Sequence, residues 1–193
     1  MNRRSLAVSL LLVAAMALPL GASQFIELPF DQVARNATLV VRGTVTGPVT
    51  SAWNDSHDVI FSYATVRVNR YVAGDGPELL VVREVGGSVD GYTQEAIGFP
   101  MLRQGENVVL FLTQWDDSAD WRIDSYNQGK YLVTKTPQGE FLMHDPVTQG
   151  HERLGGHEPM RIEALDGAGL TMNELEQMVT AARGNHAGVQ QRN

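Results

Sequence analysis

The stretch ARNATLVVRGTV, residues 34–45, decides the fold because its second half reads as a half-buried β-strand. Apolar and polar residues alternate there with the period of two that a strand imposes on its two faces. The inward set is Leu39, Val41, Gly43 and Val45, and the outward set is Thr38, Val40, Arg42, Thr44 and Thr46. A glycine on the buried face lets a strand bend sharply, as strands do at the corners of small barrels. We therefore expect this strand to bend at Gly43 and to expose Arg42 to solvent.

Four further segments repeat this pattern and complete a set of five strands. They are VIFSYATVRVNRYVAG (59–74), ELLVVREVGG (78–87), ENVVLFLTQ (106–114) and a last region from about residue 122 to residue 133. GEFLMHD (139–145) predicts a sixth strand or hairpin. The predicted barrel interior comprises Leu39, Val41, Val66, Val68, Val81, Leu110 and Leu112. The sequence therefore predicts a mainly β fold with five or six short antiparallel strands.

Two helices are predicted on either side of these strands. LPFDQVARNA (28–37) has Pro29 at a first helical position and apolar residues at helical spacing, which indicates a short helix. LTMNELEQMVTAARG predicts a C-terminal helix over residues 171–183. Thr171 and Glu174 stand at the spacing of a capping box at its start.

The two ends of the chain lie outside the predicted domain. MNRRSLAVSLLLVAAMALPLGAS, residues 1–23, combines two arginines, an apolar run and small final residues, which is typical of a secretory signal peptide cleaved after Ser23. The apolar run is shorter than the roughly 20 residues of a spanning helix. Gly184 is expected to end the C-terminal helix, and residues 185–193 to form a flexible tail. We therefore predict one secreted or periplasmic domain, 24–184, with no membrane span in the mature chain.

Composition excludes several classes of function. The chain contains no cysteine, so neither disulfides nor thiol chemistry is available and the core must come from packing. It has 15 Lys and Arg against 22 Asp and Glu, a formal net charge of −7. Nucleic-acid binding depends on clustered Lys and Arg that displace counterions from phosphates. We therefore expect no nucleic-acid partner.

Four of the strand segments stand in an order that resembles a known superfamily. The segments ATLVVRGTV, SYATVRVNRYVAGDGPELLVV, GENVVLFL and NQGKYLV, within roughly residues 30–135, resemble the netrin-module and tissue-inhibitor-of-metalloproteinase superfamily and uncharacterised bacterial secreted proteins. This resemblance implies a five- to six-stranded Greek-key barrel of the OB type and a protease-associated partner. In the inhibitors a mature N-terminal cysteine chelates the zinc of a protease, whereas this chain has Gln24 there. The inhibitory mechanism is therefore not implied.

The three tryptophans are the main candidates for a binding site. Trp53 lies in the predicted connection between the first two strands, and Trp115 and Trp121 lie between the fourth and the fifth. On an OB barrel these two loops border the usual ligand face. The indoles either cap the barrel as core or anchor a protein or a sugar ring, and both interpretations stay open. The candidate site comprises Trp53, Trp115 and Trp121 with Asp55, Asp117 and Asp120, and Asp58 and Asp116 lie in the same loops.

No metal site or cofactor is predicted. The segment DDSADWRID lacks the loop glycine and the terminal glutamate of an EF-hand, so its aspartates are expected to be solvated. The segment HDPVTQGHERLGGHE holds His144, His151 and His157, but its glycines favour a loop and its spacing departs from the zinc-protease motif. We therefore expect the fold to be independent of metal.

Catalytic motifs are also missing from the sequence. GGSVDG places Ser88 among glycines, but Asp90 stands where a nucleophile elbow requires glycine. No phosphate-cradling loop of the Walker or dinucleotide type is present. We therefore interpret the chain as a secreted, non-enzymatic binding module for a secreted or envelope protein. The alternatives are a carbohydrate-binding module of the envelope and a hydrolase without a recognised motif.

Overall fold

The residues described by the computed structural model are 28–96, 98–137, 139–144 and 169–190. The predicted signal peptide, its cleavage site, His151 and His157 lie outside these ranges. The described elements are α1 (Phe30–Asn36), β1 (Leu39–Trp53), β2 (Ile60–Ala73), β3 (Leu79–Val85), β4 (Gly87–Val89), β5 (Tyr92–Gln94), β6 (Asn107–Gln114), β7 (Trp121–Ile123), a 3-10 helix (Tyr126–Gly129), β8 (Lys130–Thr136), β9 (Gly139–His144) and α2 (Met172–Gln190). The mainly β class is confirmed. Neither described helix is both long and apolar enough to cross a membrane.

Five strands close into a ring in the order β1-β2-β3-β7-β6 and back to β1, which we call the strand ring. Every pair in the strand ring is antiparallel except β3 with β7, which run parallel where Val82 meets Trp121. The edge of β6 that faces away from β1 pairs with β7 near its end and with β8 near its start. β9 then extends the sheet beyond β8, and β4 and β5 form a separate hairpin.

The main sheet buries side chains on both of its faces. The inner core, inside the strand ring, comprises Leu39, Val41, Val45, Ala64, Val66, Leu80, Val82, Leu102, Val108, Leu110, Leu112 and Ile123. The outer core, where α1 and α2 cover the sheet, comprises Val33, Ala34, Ala37, Val40, Val109, Phe111, Tyr131, Leu142, Leu175, Val179 and Ala182. β6 contributes to both cores. Burial on two faces explains why its sequence is an unbroken apolar run instead of an alternation.

The predicted interior is confirmed at most positions. The confirmed members of the inner core are Leu39, Val41, Val66, Leu110 and Leu112, and Val68 packs against its edge. The inward position predicted for Val81 is wrong, because Val81 is 40% exposed while Leu80 and Val82 face inward. The prediction that Val40 faces outward to solvent is also wrong. Val40 is fully buried because the two helices cover that face of β1.

Gly43 lies on the buried face of β1, as predicted. The register between β1 and β2 shifts beside it, between Arg42 and Gly43. A Cβ atom here would lie 2.6 Å from Val66 Cγ1 and 2.7 Å from the backbone oxygen of Arg67. The two strands can therefore approach this closely only because residue 43 has no side chain. Arg42 is half-buried instead of facing solvent, and its Nη2 lies 2.6 Å from Glu140 Oε2 on β9.

The strand boundaries differ from the prediction in three places. β1 continues through most of the predicted connection as far as Trp53, so Trp53 is a strand residue. Residues 122–133, predicted as one strand, belong to two strands, β7 and β8, separated by the 3-10 helix. Ser125 and Tyr126 have φ angles of 58° and 57°, which no strand accommodates. The segment GGSVDG forms the unpredicted β4–β5 hairpin, where Asp90 and Gly91 take the positive φ angles of a tight turn. The predicted sixth strand is confirmed as β9.

Both predicted helices are confirmed, and so is the capping box of α2. The amide of Thr171 donates to Glu174 Oε2 at 2.8 Å, and the amide of Glu174 donates to Thr171 Oγ1 at 3.3 Å. The predicted stop at Gly184 is wrong, because α2 continues to Gln190. Gly184 does not adopt the left-handed conformation by which glycine ends a helix.

Candidate functional site

Three aromatic side chains meet beside the turn between β1 and β2, and we call them the tip cluster. They are Trp53 at the end of β1, His57 in the turn and Tyr92 at the start of β5. The Trp53 indole stacks on the His57 imidazole with 6.3 Å between centroids, and it meets the Tyr92 ring edge-on at 5.8 Å. Tyr92 is 65% exposed, and Trp53 is half-buried behind it. The tip cluster is therefore an exposed aromatic surface whose members hold one another in place.

Hydrogen bonds of Asn54 fix the turn that carries the tip cluster. Asn54 Oδ1 accepts from the amides of Asp58 and Val59 at 3.0 and 3.1 Å, and its Nδ2 donates to Asp58 Oδ1 at 2.6 Å. The backbone oxygen of Asp55 lies 3.4 Å from His57 Nδ1. Asp55 and Asp58 are both exposed, so their carboxylates lie at the surface beside the aromatic group.

The β4–β5 hairpin brings Tyr92 to the turn between β1 and β2. Its first strand begins at Gly87, where a Cβ atom would lie 2.5 Å from Ser51 Oγ and 2.6 Å from Ser62 Oγ. The absence of a side chain therefore lets the hairpin lie directly against β1 and β2. Asp90 is exposed at the tip of the hairpin and adds a third carboxylate near the tip cluster.

Trp115 belongs to a second group, the Arg83 stack, formed by Phe61, Arg83 and Trp115. The Arg83 guanidinium lies 4.8 Å from the Phe61 centroid and 4.5 Å from the Trp115 centroid, and Trp115 Nε1 donates to the backbone oxygen of Arg83 at 2.9 Å. Arg83 Nη2 donates to Asp117 Oδ1, and Arg83 Nε lies 4.0 Å from Asp120 Oδ2. These contacts hold the β6–β7 loop against β2 and β3.

The described contacts divide the three tryptophans among different places. Trp53 pairs with Ile60 across β1 and β2, whereas Trp115 packs on Phe61, the next residue of β2. Because consecutive residues of a strand face opposite sides of the sheet, Trp53 and Trp115 lie on opposite faces. Trp121 packs against the inner core. The residues proposed from the sequence as one site therefore occupy three environments. Trp53 and Trp121 are the end residues of β1 and β7, and only Trp115 lies in a loop as predicted.

A cleft of about 260 Å³ opens next to the Arg83 stack, and we call it the Glu84 cleft. Its lining residues are Glu84, Val85, Phe99, Trp115, Arg122, Ile123, Asp124, Ser125 and Tyr126. Glu84 is only 5% exposed, and its Oε1 accepts a hydrogen bond from the Ile123 amide at 2.5 Å. Burial raises the pKa of Glu84 to about 8, against the opposing effects of that hydrogen bond and of the Arg122 charge. The carboxyl group is therefore mainly protonated at neutral pH.

The mouth of the Glu84 cleft is built on unusual backbone. Ser125 and Tyr126 both have positive φ angles. Residues other than glycine rarely adopt such angles, and where they do, they often mark functional sites. The Tyr126 ring meets the Phe99 ring edge-on at 4.9 Å, and Ser125 Oγ donates to Asp124 Oδ2 at 2.7 Å. Aromatic and polar side chains are thus fixed together at the mouth.

Glu84 was missed by the sequence analysis, although a signal for it is present. Leu80, Val82 and Glu84 occupy one parity of β3, so the alternation that puts Leu80 and Val82 inside also places a carboxyl group there. A charged residue at an inward position is a recognised sign of a functional site. Phe99 and Tyr126 lie outside the strands, so no periodic pattern marks them.

A buried ion pair holds the segment before β6. Lys130 Nζ lies 2.9 Å from Glu106 Oε2 and donates to the backbone oxygen of Met101 at 2.6 Å. We therefore assign Lys130 and Glu106 a structural role. Across the part of the chain that the structure describes, no group of three or more His, Asp or Glu side chains is placed to hold a metal ion.

Comparison with known proteins gives no family for this chain. No protein-family model matches it, and no curated protein matches it either. Function is therefore inferred from the tip cluster, the Arg83 stack and the Glu84 cleft themselves.

Proposed function

We propose that the strand ring is a barrel of the OB type, related in fold to the netrin module. The order of the strands supports this, because the ring strands, counted along the chain, run 1-2-3-5-4 and back to 1, with the third and fifth parallel. A five-stranded, partly open Greek-key barrel is the OB architecture. The loops after its first and fourth strands commonly bind ligands, and here they are the β1–β2 turn and the β6–β7 loop.

The function that we propose is that of a secreted, non-enzymatic module that binds a protein partner through the tip cluster. The exposure of Tyr92 carries this proposal. Its surface is 65% exposed, and its ring is held by an edge-on contact with Trp53, which in turn stacks on His57. Aromatic side chains that are held in position give large contact area at low entropic cost, and they dominate the energetics of protein interfaces.

The charge around the tip cluster indicates the kind of partner. Asp55, Asp58 and Asp90 are exposed on the two turns that meet there. A basic partner surface would complement these carboxylates and would be steered toward them during association. Secretion follows from the predicted signal peptide, and a protease as partner rests on the netrin-like resemblance alone.

Capture from the native secretome with matched variants tests this function. Immobilised protein carrying Trp53→Ala or Tyr92→Ala is compared with wild type and with Leu79→Ala, which removes a 50% exposed apolar side chain from the far end of β3. We expect wild type and Leu79→Ala to retain one protein that the tip variants lose. At least one tip variant should weaken the affinity for that protein by about 2 kcal/mol.

Circular dichroism of each variant separates binding from folding. The tip variants should keep the wild-type spectrum, because their side chains lie outside both cores. Retention of the same protein by both folded tip variants would show that the tip cluster is not the contact surface. If wild type captures nothing and the variants only lower the melting temperature, the protein-binding function is wrong.

A further inference from the structure

We propose that the Glu84 cleft is a second binding site, separate from the tip cluster, that takes a single neutral sugar ring. The cleft joins three aromatic residues, Phe99, Trp115 and Tyr126, with the polar groups of Glu84, Asp124 and Ser125. A concavity of mainly apolar walls with a few convergent polar groups is the usual form of a small-molecule site.

The size of the cleft limits what can enter it. Its volume of about 260 Å³ is just below the range of roughly 300–1,000 Å³ that accommodates drug-sized ligands. A single pyranose suits this space, whereas a longer oligosaccharide would have to extend out past Tyr126.

The carboxyl group in the wall suits a hydroxylated ligand. The Ile123 amide occupies Oε1 of Glu84, and among the described residues no other hydrogen bond to this carboxyl group is found. A protonated carboxyl group donates one hydrogen bond and accepts others. Sugar hydroxyls do the same, so Glu84 can both give and receive a hydrogen bond in the cleft. Asp124 and Ser125 offer acceptor oxygens at the mouth, because the hydrogen of the Ser125 hydroxyl is engaged with Asp124 Oδ2.

The balance of charge in the cleft favours a neutral ligand. Arg122 and Asp124 line it with opposite charges, and the Arg122 guanidinium lies 5.2 Å from the Trp115 centroid. Glu84 is mainly uncharged at neutral pH, because burial raises its pKa to about 8. A cation would meet the Arg122 guanidinium, and an ionic contact with Glu84 would require that carboxyl group to release its proton to solvent. An anion would meet the Asp124 carboxylate.

Tyr126 supplies an aromatic surface at the mouth. It is 44% exposed, and its edge-on contact with Phe99 fixes the plane of its ring. The apolar C–H face of a pyranose packs well on such a surface, while the ring hydroxyls point toward polar groups. Stacking at Tyr126 and hydrogen bonding at Glu84 would therefore act on different parts of one sugar.

Saturation-transfer NMR on the full protein tests the site. The probes are glucose, galactose, mannose and N-acetylglucosamine, each at about 50 mM, a concentration at which millimolar affinities are visible. We expect transfer to at least one sugar and quenching of tryptophan fluorescence by the same sugar, because Trp115 lines the cleft. Tyr126→Ala and Glu84→Leu should each weaken binding by about tenfold, through loss of stacking and of a hydrogen bond.

Tyr92→Ala is the matched control, because it removes an exposed tyrosine from the tip cluster and should leave sugar binding unchanged. Transfer to none of the four sugars would overturn the proposal, and so would equal binding by wild type and Tyr126→Ala. Loss of binding with Tyr92→Ala alone would place the sugar at the tip cluster and overturn this site. The protein-binding function is tested by secretome capture, so failure of the sugar site leaves that result independent.

Discussion

Glu84 carries a carboxyl group at a strand position whose neighbours on the same face are Leu80 and Val82. Burial there raises its pKa from 4.5 to about 8, and the Ile123 amide offsets part of the cost of ionisation. Between those two values the folded protein holds a proton that the unfolded chain releases. The free energy of unfolding therefore decreases as pH rises through this window.

Glu84→Gln should remove this pH dependence. The amide is neutral at every pH, and its oxygen can still accept the hydrogen bond from Ile123. Urea unfolding from about pH 5 to about pH 9 should show wild type losing stability relative to the variant, by about 1 kcal/mol or more at the upper end. The nearby Arg122, Asp124 and Tyr126 are common to both proteins.

Glu78→Gln is the control for this change, because the Glu78 side chain is 74% exposed and its ion pair with Arg67 is long, at 3.8 Å. It should leave the shape of the pH curve unchanged. Parallel curves for wild type and Glu84→Gln would show that Glu84 ionises normally in the folded protein.

Gly43→Ala should destabilise the protein although it adds a single methyl group. That group would lie 2.6 Å from Val66 Cγ1 and 2.7 Å from a backbone oxygen of β2, so the strands must move apart. Overpacking of this kind costs about 1–3 kcal/mol in the free energy of unfolding. Gly184→Ala is the matched change, since a Cβ there meets nothing within 4 Å and the residue lies in α2.

Gly184→Ala should stabilise by up to about 1 kcal/mol, because alanine is the better helix former. Chemical denaturation of both variants gives the comparison. Equal stability of Gly43→Ala and wild type would mean that the close crossing of β1 and β2 does not depend on glycine.

At the scale of elements, the Arg83 stack joins the β6–β7 loop to β2 and β3. Trp115→Ala removes the indole between Arg83 and the cleft and leaves the carbonyl of Arg83 without its donor. We expect a loss of about 3 kcal/mol in the free energy of unfolding. Trp53→Ala should cost clearly less, because Trp53 lies half-buried at the tip. Equal losses would show that Trp53 is also a core residue.

The elements that could be predicted from the sequence are those in which one local pattern determines the position of every residue. Period-two alternation predicted β1 and β2, and the Thr171–Glu174 spacing predicted the start of α2. It failed at Val40, because alternation cannot reveal that distant helices will cover the outward face. It also failed between β7 and β8, where left-handed backbone at Ser125 and Tyr126 interrupts the strand without glycine or proline as a signal.

The candidate site was harder to predict than the elements, because it is assembled from segments far apart in the chain. Tyr92 reaches Trp53 only through the unpredicted β4–β5 hairpin. The Glu84 cleft combines β3, the segment before β6 and the 3-10 helix. The predicted loop positions of the tryptophans indicated aromatic groups at the surface. Only the pairing of β1 with β2 shows that Trp53 and Trp115 lie on opposite faces of the sheet.

Across the whole molecule, the two cores and the proposed binding surface occupy different parts of the fold. α1 and α2 cover the outer core on one side of the sheet, while the tip cluster lies where the β1–β2 turn meets the β4–β5 hairpin. Turns carried by a rigid sheet are common places for binding residues. A partner bound at the tip cluster, as we propose, would therefore leave both cores undisturbed.

Hydrogen exchange measured by mass spectrometry, on the protein alone and with its captured partner, tests most directly whether the tip cluster holds that partner. We expect slower amide exchange over residues 53–59 and 87–94, with no change in α2. Slower exchange in α2 or β3, with exchange over residues 53–59 and 87–94 unchanged, would contradict binding at the tip cluster.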